Sequence, residues 1–398
     1  MPEKWPNLLF GPDTAPPPPS QGGETGDPRV LYRLALAARG TSGLGAEIIS
    51  DVFDTVGTPA RALPLSWTEV LNGEGTCEVW LPIDHASVTR ANFAVGNREL
   101  HVYRDDGNGE VLVWAGRLWA VDVQDWFVRM LGKGFYHDLS RREIVSDYTS
   151  RISAGVFKDQ LTIVRDLINA TQALTDGGLG FTHNDLSVSG VTRKLIVCAE
   201  ERRQISDVIE ELASADDGFD FAVLPDKRVR LWYPRRGQVN TGLTFSASDN
   251  VSEFRYQEDA EEMANDVAVV GPQENCEVPD VTSAVDTTSR STYGVLHASE
   301  SAEFVDDETL RQGQADEMLR ERKDSRLQPD VQVPTQLSDA VDFYDYQLGD
   351  TVTVVATRGE VGGFGQFNQA FRIVGRRVDV TNYGLENVTL SLDRNLLT

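Results

Sequence analysis

Apolar and polar positions alternate from residue 30 to about 123, shift to helical spacing between about 140 and 240, and return to alternation toward the C-terminus. In LSWTEVLNGEGTCEVWLP, a run with Trp67 is broken by Asn72, Gly73, Glu74 and Gly75, after which Cys77, Val79 and Leu81 alternate with Glu78 and Trp80. This predicts two strands about a glycine turn. ELHVYRDDGNGEVLVWAGRLWAVDV repeats the arrangement, with Leu100 and Val102 before a turn at 105–109 and residues 111–123 apolar on both alternating faces. Strands apolar on both sides predict a closed barrel, a sandwich or a sheet covered by a neighbouring subunit.

Phe157, Leu161, Val164 and Ile168 then fall at helical spacing and predict an amphipathic helix ending before Gly177 and Gly178. Ile205, Val208, Ile209 and Leu212 predict a second helix, with Gly218 as a left-handed cap after Asp216 and Asp217. A hairpin follows: Phe219, Phe221 and Val223, a Pro225-Asp226 turn, then Val229, Leu231 and Tyr233 alternating with Arg228, Arg230 and Trp232. NDVAVVG at 265–271 restarts strand character, whereas 272–290 is polar and aperiodic and reads as a surface loop. Residues 306–326 predict a charged helix with an apolar stripe at Leu310, Ala315, Met318 and Leu319, an Asp316/Arg320 pair, and an end at Pro329. The remainder is strand-like: DYQLGDTVTVV places a turn at Gly349-Asp350 and points Val352 and Val354 inward, with Thr351 and Thr353 outward. Val388, Leu390 and Leu392 alternate with Thr389, Ser391 and Asp393.

Composition narrows the function classes. At 398 residues the chain has room for two to four cores. No apolar run is long enough to span a bilayer, and the N-terminus lacks a secretory leader's basic start and apolar core, so the protein is expected to fold where it is made. Residues 11–28, GPDTAPPPPSQGGETGDP, read as a flexible or polyproline arm. Cys77, Cys198 and Cys276 form no disulfide framework, and the five histidines show no ligand spacing, so no metal and no cofactor is expected. A formal charge of −25 repels phosphate backbones and argues against a conventional nucleic-acid reader.

Catalytic motifs are missing. The acidic pairs Glu200-Glu201, Glu210-Glu211 and Asp216-Asp217, and the run at 258–262, read as solvated faces, because acid/base carboxylates have to be held in a cleft in unequal environments. Asp216 to Asp220 lacks the spacing of a calcium loop, and Gly362, Gly363 and Gly365 precede no helix that would offer amides to phosphate. Neither GxSxG nor a Cys/His arrangement is present. The one basic and aromatic cluster, Arg228, Arg230, Trp232 and Tyr233 with Arg235 and Arg236, is a candidate for glycan or partner contact by stacking and charge.

The order of these elements resembles the tail hub, or baseplate hub, of long-tailed bacteriophages, often described as a minor tail protein and met particularly in phages of actinobacteria. The resemblance rests on LSWTEVLNGEGTCEVWLP with WAGRLWAVDV, on LSRREIV before the first helix, on ISDVIEELASADDGFDFAVLPDKRVRLWYPRRG, and on YQLGDTVTVV with FRIVGRRVDVTNYGLENVTLSL. It implies an α+β, mostly β chain with a Pro-rich arm at 1–29, a first β-barrel-like hub domain at 30–136 and an α+β domain at 137–244. A second barrel-like domain would begin at 245–330, with a loop and helix insertion, and be completed by 331–398. It also implies a non-enzymatic homotrimer at the tail tip of the virion, made in the host cytoplasm and continuing the tail tube. Its neighbours would be a distal tail protein ring, a tape measure protein and receptor-binding or fibre proteins, with DNA present only in transit. Alternatives from other classes are a cell-wall-degrading tail enzyme and a carbohydrate-binding module for receptor attachment.

Overall fold

The computed structural model describes residues 30–50, 64–183, 186–215, 217–271, 280–302, 308–334, 341, 343–357, 367–380 and 386–394. The proline arm, Asp216, Cys276 and the glycines at 362–365 lie outside them, as does the side chain of Leu310. Strands β1 (Leu31–Ala38), β2 (Glu47–Ile49), β3 (Leu65–Val70), β4 (Thr76–Pro82), β5 (Arg98–Asp105), β6 (Glu110–Val123) and β7 (Phe127–Gly134) come first. They run side by side in the order β3-β4-β7-β6-β5-β1-β2, with every adjacent pair antiparallel. The alternation of Cys77, Val79 and Leu81 puts these three side chains in the core and leaves Glu78 and Trp80 half-buried on the other face.

A 3-10 helix at Phe135–Arg141 leads into β8 (Tyr148–Thr149), β9 (Arg151–Ser153), β10 (Val156–Phe157), α1 (Gln160–Gln172), β11 (Ile196–Val197), α2 (Ile205–Ser214), β12 (Asp220–Val223) and β13 (Val229–Trp232). The Asp159 carboxylate caps α1 by accepting from the Leu161 amide at 2.9 Å. Phe157 therefore lies in β10 rather than on the helix, although its spacing fits the helical set. Leu161, Val164, Ile168, Val208, Ile209, Phe219 and Leu231 meet in a core separate from that of the large sheet. After α2 the left-handed residue is Asp217 (φ 53°), not Gly218. Gly218 is required by space instead, since a Cβ there would lie 2.0 Å from the Ala213 carbonyl oxygen.

The remainder comprises β14 (Val239–Ser246), β15 (Glu253–Asp259), β16 (Asp266–Val270), β17 (Val281–Val285), α3 (Thr287–Tyr293), β18 (His297–Ser301), α4 (Glu308–Arg322), β19 (Arg326–Pro334), β20 (Thr351–Ala356), β21 (Phe367–Val380) and β22 (Glu386–Arg394). The β17 strand and α3 replace the loop expected up to residue 290. Thr282 and Ala284 alternate inward in a strand short of large apolar residues, and Asp286 caps α3 by accepting from the Ser289 amide. Strands β17, β16 and β18 form a small sheet on which α4 packs Ala315 and Met318. On α4, Arg320 pairs with Glu317 at 2.5 Å and Asp316 with Gln312, not with each other. Pro329 does not end the helix. It sits within β19 opposite Tyr256, one residue before the ladder to β22 begins, so its missing N–H costs no bond on that edge. Val352 and Val354 point inward as the alternation predicts, and Thr351 is buried too, pairing with Val239 of β14 while its amide bonds the carbonyl of Gln238 just before that strand.

The two β regions are one sheet. Strands β15, β19, β22 and β21 continue directly into β3, and among the described residues thirteen strands make one sheet, with β14 and β20 branching from β21 as its parallel pair. The joint is the register from Val70↔Gly375 to Leu65↔Val380. The sheet curls. Leu34, Leu100, Val331 and Leu390, drawn from both of its ends, share one core around the fully buried Trp67.

Candidate assembly surface

At the β3–β21 joint the two faces differ in chemistry. Trp67 and Val378, then Leu65 and Val380, point into the core, while Thr68, Ser66, Arg377 and Asp379 stand on the other side. The β4 and β7 strands extend that outer face: Arg129 makes a two-pronged contact to Glu78 (2.9 and 2.6 Å), the Trp80 indole N–H donates to Glu78 at 2.7 Å, and Arg377 pairs with Asp379 at 2.8 Å. The surface is half-exposed and charged with both signs, its charges paired along the sheet.

Three buried ionic joints brace the molecule, two fixing what stands on this sheet and one closing the sheet on itself. At the first, the Asp220 carboxylate of β12 accepts from the Asn72 amide of the β3–β4 turn at 2.9 Å, from the Arg236 backbone at 2.6 Å and from the Arg372 guanidinium of β21. Asn72 also accepts from the Phe221 amide, so one turn residue satisfies two groups of β12. Beside it, Gly237 and Gly349, both at φ 93°, allow two backbones to cross: a Cβ on Gly237 would lie 2.1 Å from the Gly349 carbonyl carbon.

At the second, Lys227 at the tip of the β12–β13 hairpin donates to Glu99 of β5 and to the Gly40 carbonyl, each at 2.7 Å, with both charged residues only 1% exposed. Burial alone would push the Glu99 carboxyl up. Hydrogen bonds from His101, Lys227 and the Gly45 amide overcome it and hold the group at about 2. Burial pushes Lys227 below its ordinary value, against the pull of Glu99. At the third, Glu386 of β22 accepts from Tyr32 of β1 at 2.5 Å and from Arg104 of β5 at 2.9 Å, closing the curl between strands far apart in the ladder.

The hairpin residues singled out from the sequence come together, but not as an open platform. Arg228 pairs with Asp226 at 2.5 Å, Trp232 is half-buried with Arg236 stacked 4.6 Å over its ring, and Arg230 lies 5.9 Å from the same ring. Tyr233 is the exposed member, at 37%. The acidic pairs are spread out: Glu201 bonds the Cys198 amide, Glu211 pairs with Arg203, and Glu210 accepts from Tyr136. A Glu74–His137–Ser140 constellation does form, unannounced by any motif. Glu74 and Ser140 both address His137 Nδ1, whereas a proton relay through histidine needs the orienting carboxylate and the nucleophile on opposite ring nitrogens. Among the described residues, no group of three or more His, Cys, Asp or Glu is placed to hold a metal ion. Asp220, Glu99, Lys227 and Glu386 carry no local signal in the sequence, because each acquires its role from a partner over a hundred residues away.

No protein-family model and no curated protein matches the sequence. Solved structures do. The tail protein from Neisseria meningitidis MC58 superposes with a TM-score of 0.57 at 12% identity, covering 92% of this chain and 97% of that one. The fold is similar to that of phage tail proteins. The 43 kDa tail protein of prophage MuSo2 from Shewanella oneidensis shares this tail-protein fold at a TM-score of 0.58 and 10% identity, over 92% of this chain and 98% of that one. A chain of a Francisella PdpA–VgrG complex shares it at a TM-score of 0.52 and 8% identity, covering 93% of this chain and 59% of that one. At such identities the likeness lies in the path of the backbone and assigns no residue a role.

Proposed function

We propose that three copies of this chain form the hub of a long phage tail tip, a ring that continues the tail tube and joins it to the host-recognition apparatus. The observation that carries this reading is the antiparallel β3–β21 joint, which sets two β regions of one chain side by side in one sheet. Three such chains present six β regions to a ring, which matches a hexameric tube through threefold symmetry. The tail-protein fold supports the reading. Each β region then supplies one barrel-like part of the ring. A distal tail protein ring and the tape measure protein pack above it and receptor-binding or fibre proteins below, while Arg228, Arg230, Trp232 and Tyr233 contact one of these neighbours. The charge of −25 has a place in this scheme: carboxylates that line the lumen keep passing DNA from adhering, over about one Debye length, ~8 Å at physiological salt.

The mass of the full chain in solution and in purified particles tests the proposal. A trimer, or a threefold ring at the tail tip by electron microscopy, is expected; a strict monomer that enters no ring overturns it.

A further inference from the structure

The sequence holds two Asn-Gly pairs, Asn72-Gly73 and Asn108-Gly109, and the fold places them in opposite situations. Asn72 is fixed. Its backbone sits at φ 56°, its side-chain amide donates to the buried Asp220 carboxylate at 2.9 Å, and its side-chain oxygen accepts from the Phe221 amide at 2.8 Å. Gly73 is packed against Val70, where a Cβ would lie 3.2 Å from Cγ1. Asn108 stands at the tip of the β5–β6 turn, with Gly107, Asn108, Gly109 and Glu110 all exposed. A Cβ on Gly107 or Gly109 would meet nothing within 4 Å, so no neighbour confines the turn. Two aspartates make the bonds inside it. Asp105 accepts from the Gly107 amide at 2.8 Å and from the Gly109 amide at 3.2 Å, while Asp106 accepts from the Asn108 backbone at 3.0 Å and from its side chain.

We propose that Asn108 is a site of spontaneous covalent modification, where the chain converts its own asparagine to aspartate and isoaspartate, and that the fold protects Asn72 from the same reaction. The Gly109 nitrogen attacks the side-chain carbonyl carbon of Asn108 and closes a five-membered imide. Its proton passes by way of the Asp105 carboxylate to the leaving amide, the bond from that carbon to the side-chain nitrogen breaks, and ammonia departs. Water then opens the imide at either carbonyl, giving aspartate or isoaspartate. The attack needs a following residue with no side chain to block it and a backbone free to bring nitrogen and carbon together. Both pairs meet the first condition, and Asn108 alone meets the second. Either product adds a negative charge to a turn that already carries Asp105, Asp106 and Glu110. Isoaspartate also lengthens the main chain by one carbon between the two amides that Asp105 holds. Arg104, which pairs with Asp106 at 3.5 Å and with Glu386 at 2.9 Å, ties this turn to the joint that closes the curl. The reaction needs only one chain and water and is independent of the ring reading above.

The test is ageing of the folded full-length chain in mildly alkaline buffer made with heavy-oxygen water, followed by digestion and peptide mass spectrometry, so that only modification preceding digestion carries the label. Residue 108 is expected to gain the deamidation mass and the heavy oxygen at least tenfold faster than residue 72. In denaturant the two rates should converge, because what protects Asn72 is the fold. An isoaspartyl methyltransferase should label residue 108 of the aged wild type, and Asn108→Gln, confirmed as folded by far-UV circular dichroism, should lose that label. Equal rates at the two positions in the folded chain, or an unchanged ratio in denaturant, would show that the fold does not select the site. A mass gain at residue 108 without isoaspartate would exclude the imide. Any of these results, or an Asn108 that stays intact in the folded chain, overturns the proposal.

Discussion

The α+β unit and the β16–β18 unit are both appended to the large sheet, and they are held in different ways. The former docks through buried Lys227 on Glu99 and through buried Asp220 on Arg372 and the half-buried Asn72, over a core of large side chains such as Phe219, Leu161 and Ile209. The latter has a core built on Ala264, Ala284, Ala302 and Ala315, with Met318 its largest buried member. Its ion pairs, such as Arg290 with Asp266 and Arg322 with Glu300, stay inside the unit. A unit tied by desolvated charges to fixed points on the sheet moves with it, whereas one with a small core and internal pairs opens at lower cost.

The sharpest way to break this contrast is Lys227→Ala, which strands the Glu99 charge in the interior. It should cost about 3–5 kcal/mol in denaturant unfolding, and Glu99→Gln combined with Lys227→Met should recover most of that. A loss as small as that of a surface pair would mean the joint does not hold the unit. Next comes Met318→Ala, which should cost about 2–5 kcal/mol within the β16–β18 unit. Hydrogen exchange should then accelerate there while protection in α1 and α2 is unchanged; loss of protection in both would show the two units to be equally coupled to the sheet.

Acid gives a third test. The Glu99 carboxyl is held near 2 in the folded protein against an ordinary 4.5, so the unfolded chain takes up this proton at the higher pH. Its contribution, about 3 kcal/mol, is present above pH 4.5 and lost as pH falls toward 2. Replacing Glu99 by Gln should flatten the stability profile in that window, and an unchanged slope would show that the group does not drive it. The smallest effect belongs to Arg377→Ala on the outer face. There both members of the pair are about 40% exposed, and less than ~1 kcal/mol is expected in the same unfolding measurement.

Much of the local structure could be read from the residues. The Cys77, Val79, Leu81 alternation, the Ile205 to Leu212 spacing and the Val352, Val354 pair all report a side chain's own environment, which periodicity encodes. The β17 strand and α3 escaped because Thr282, Ser283, Ala284 and Ser289 are small or polar and leave no hydrophobic period. The charged joints escaped for another reason. Nothing beside Lys227 in the chain distinguishes it from a turn lysine, since its meaning comes from Glu99, reached only after the hairpin folds onto the sheet. The hairpin cluster was visible as composition, yet that composition could not show that Arg236 already covers the Trp232 ring.

The β3–β21 joint also sets a timetable. β3 leaves the ribosome about 300 residues before the strand that completes it. At ~5–20 residues per second its outer edge stays open for on the order of fifteen seconds to a minute. An unpaired edge beside Trp67 is a template for the wrong strand, including the β3 of a chain emerging from the next ribosome on the same message. Yield of this protein should therefore depend on what shields that edge during synthesis, and the last strands of the chain decide whether the first ones were kept safe.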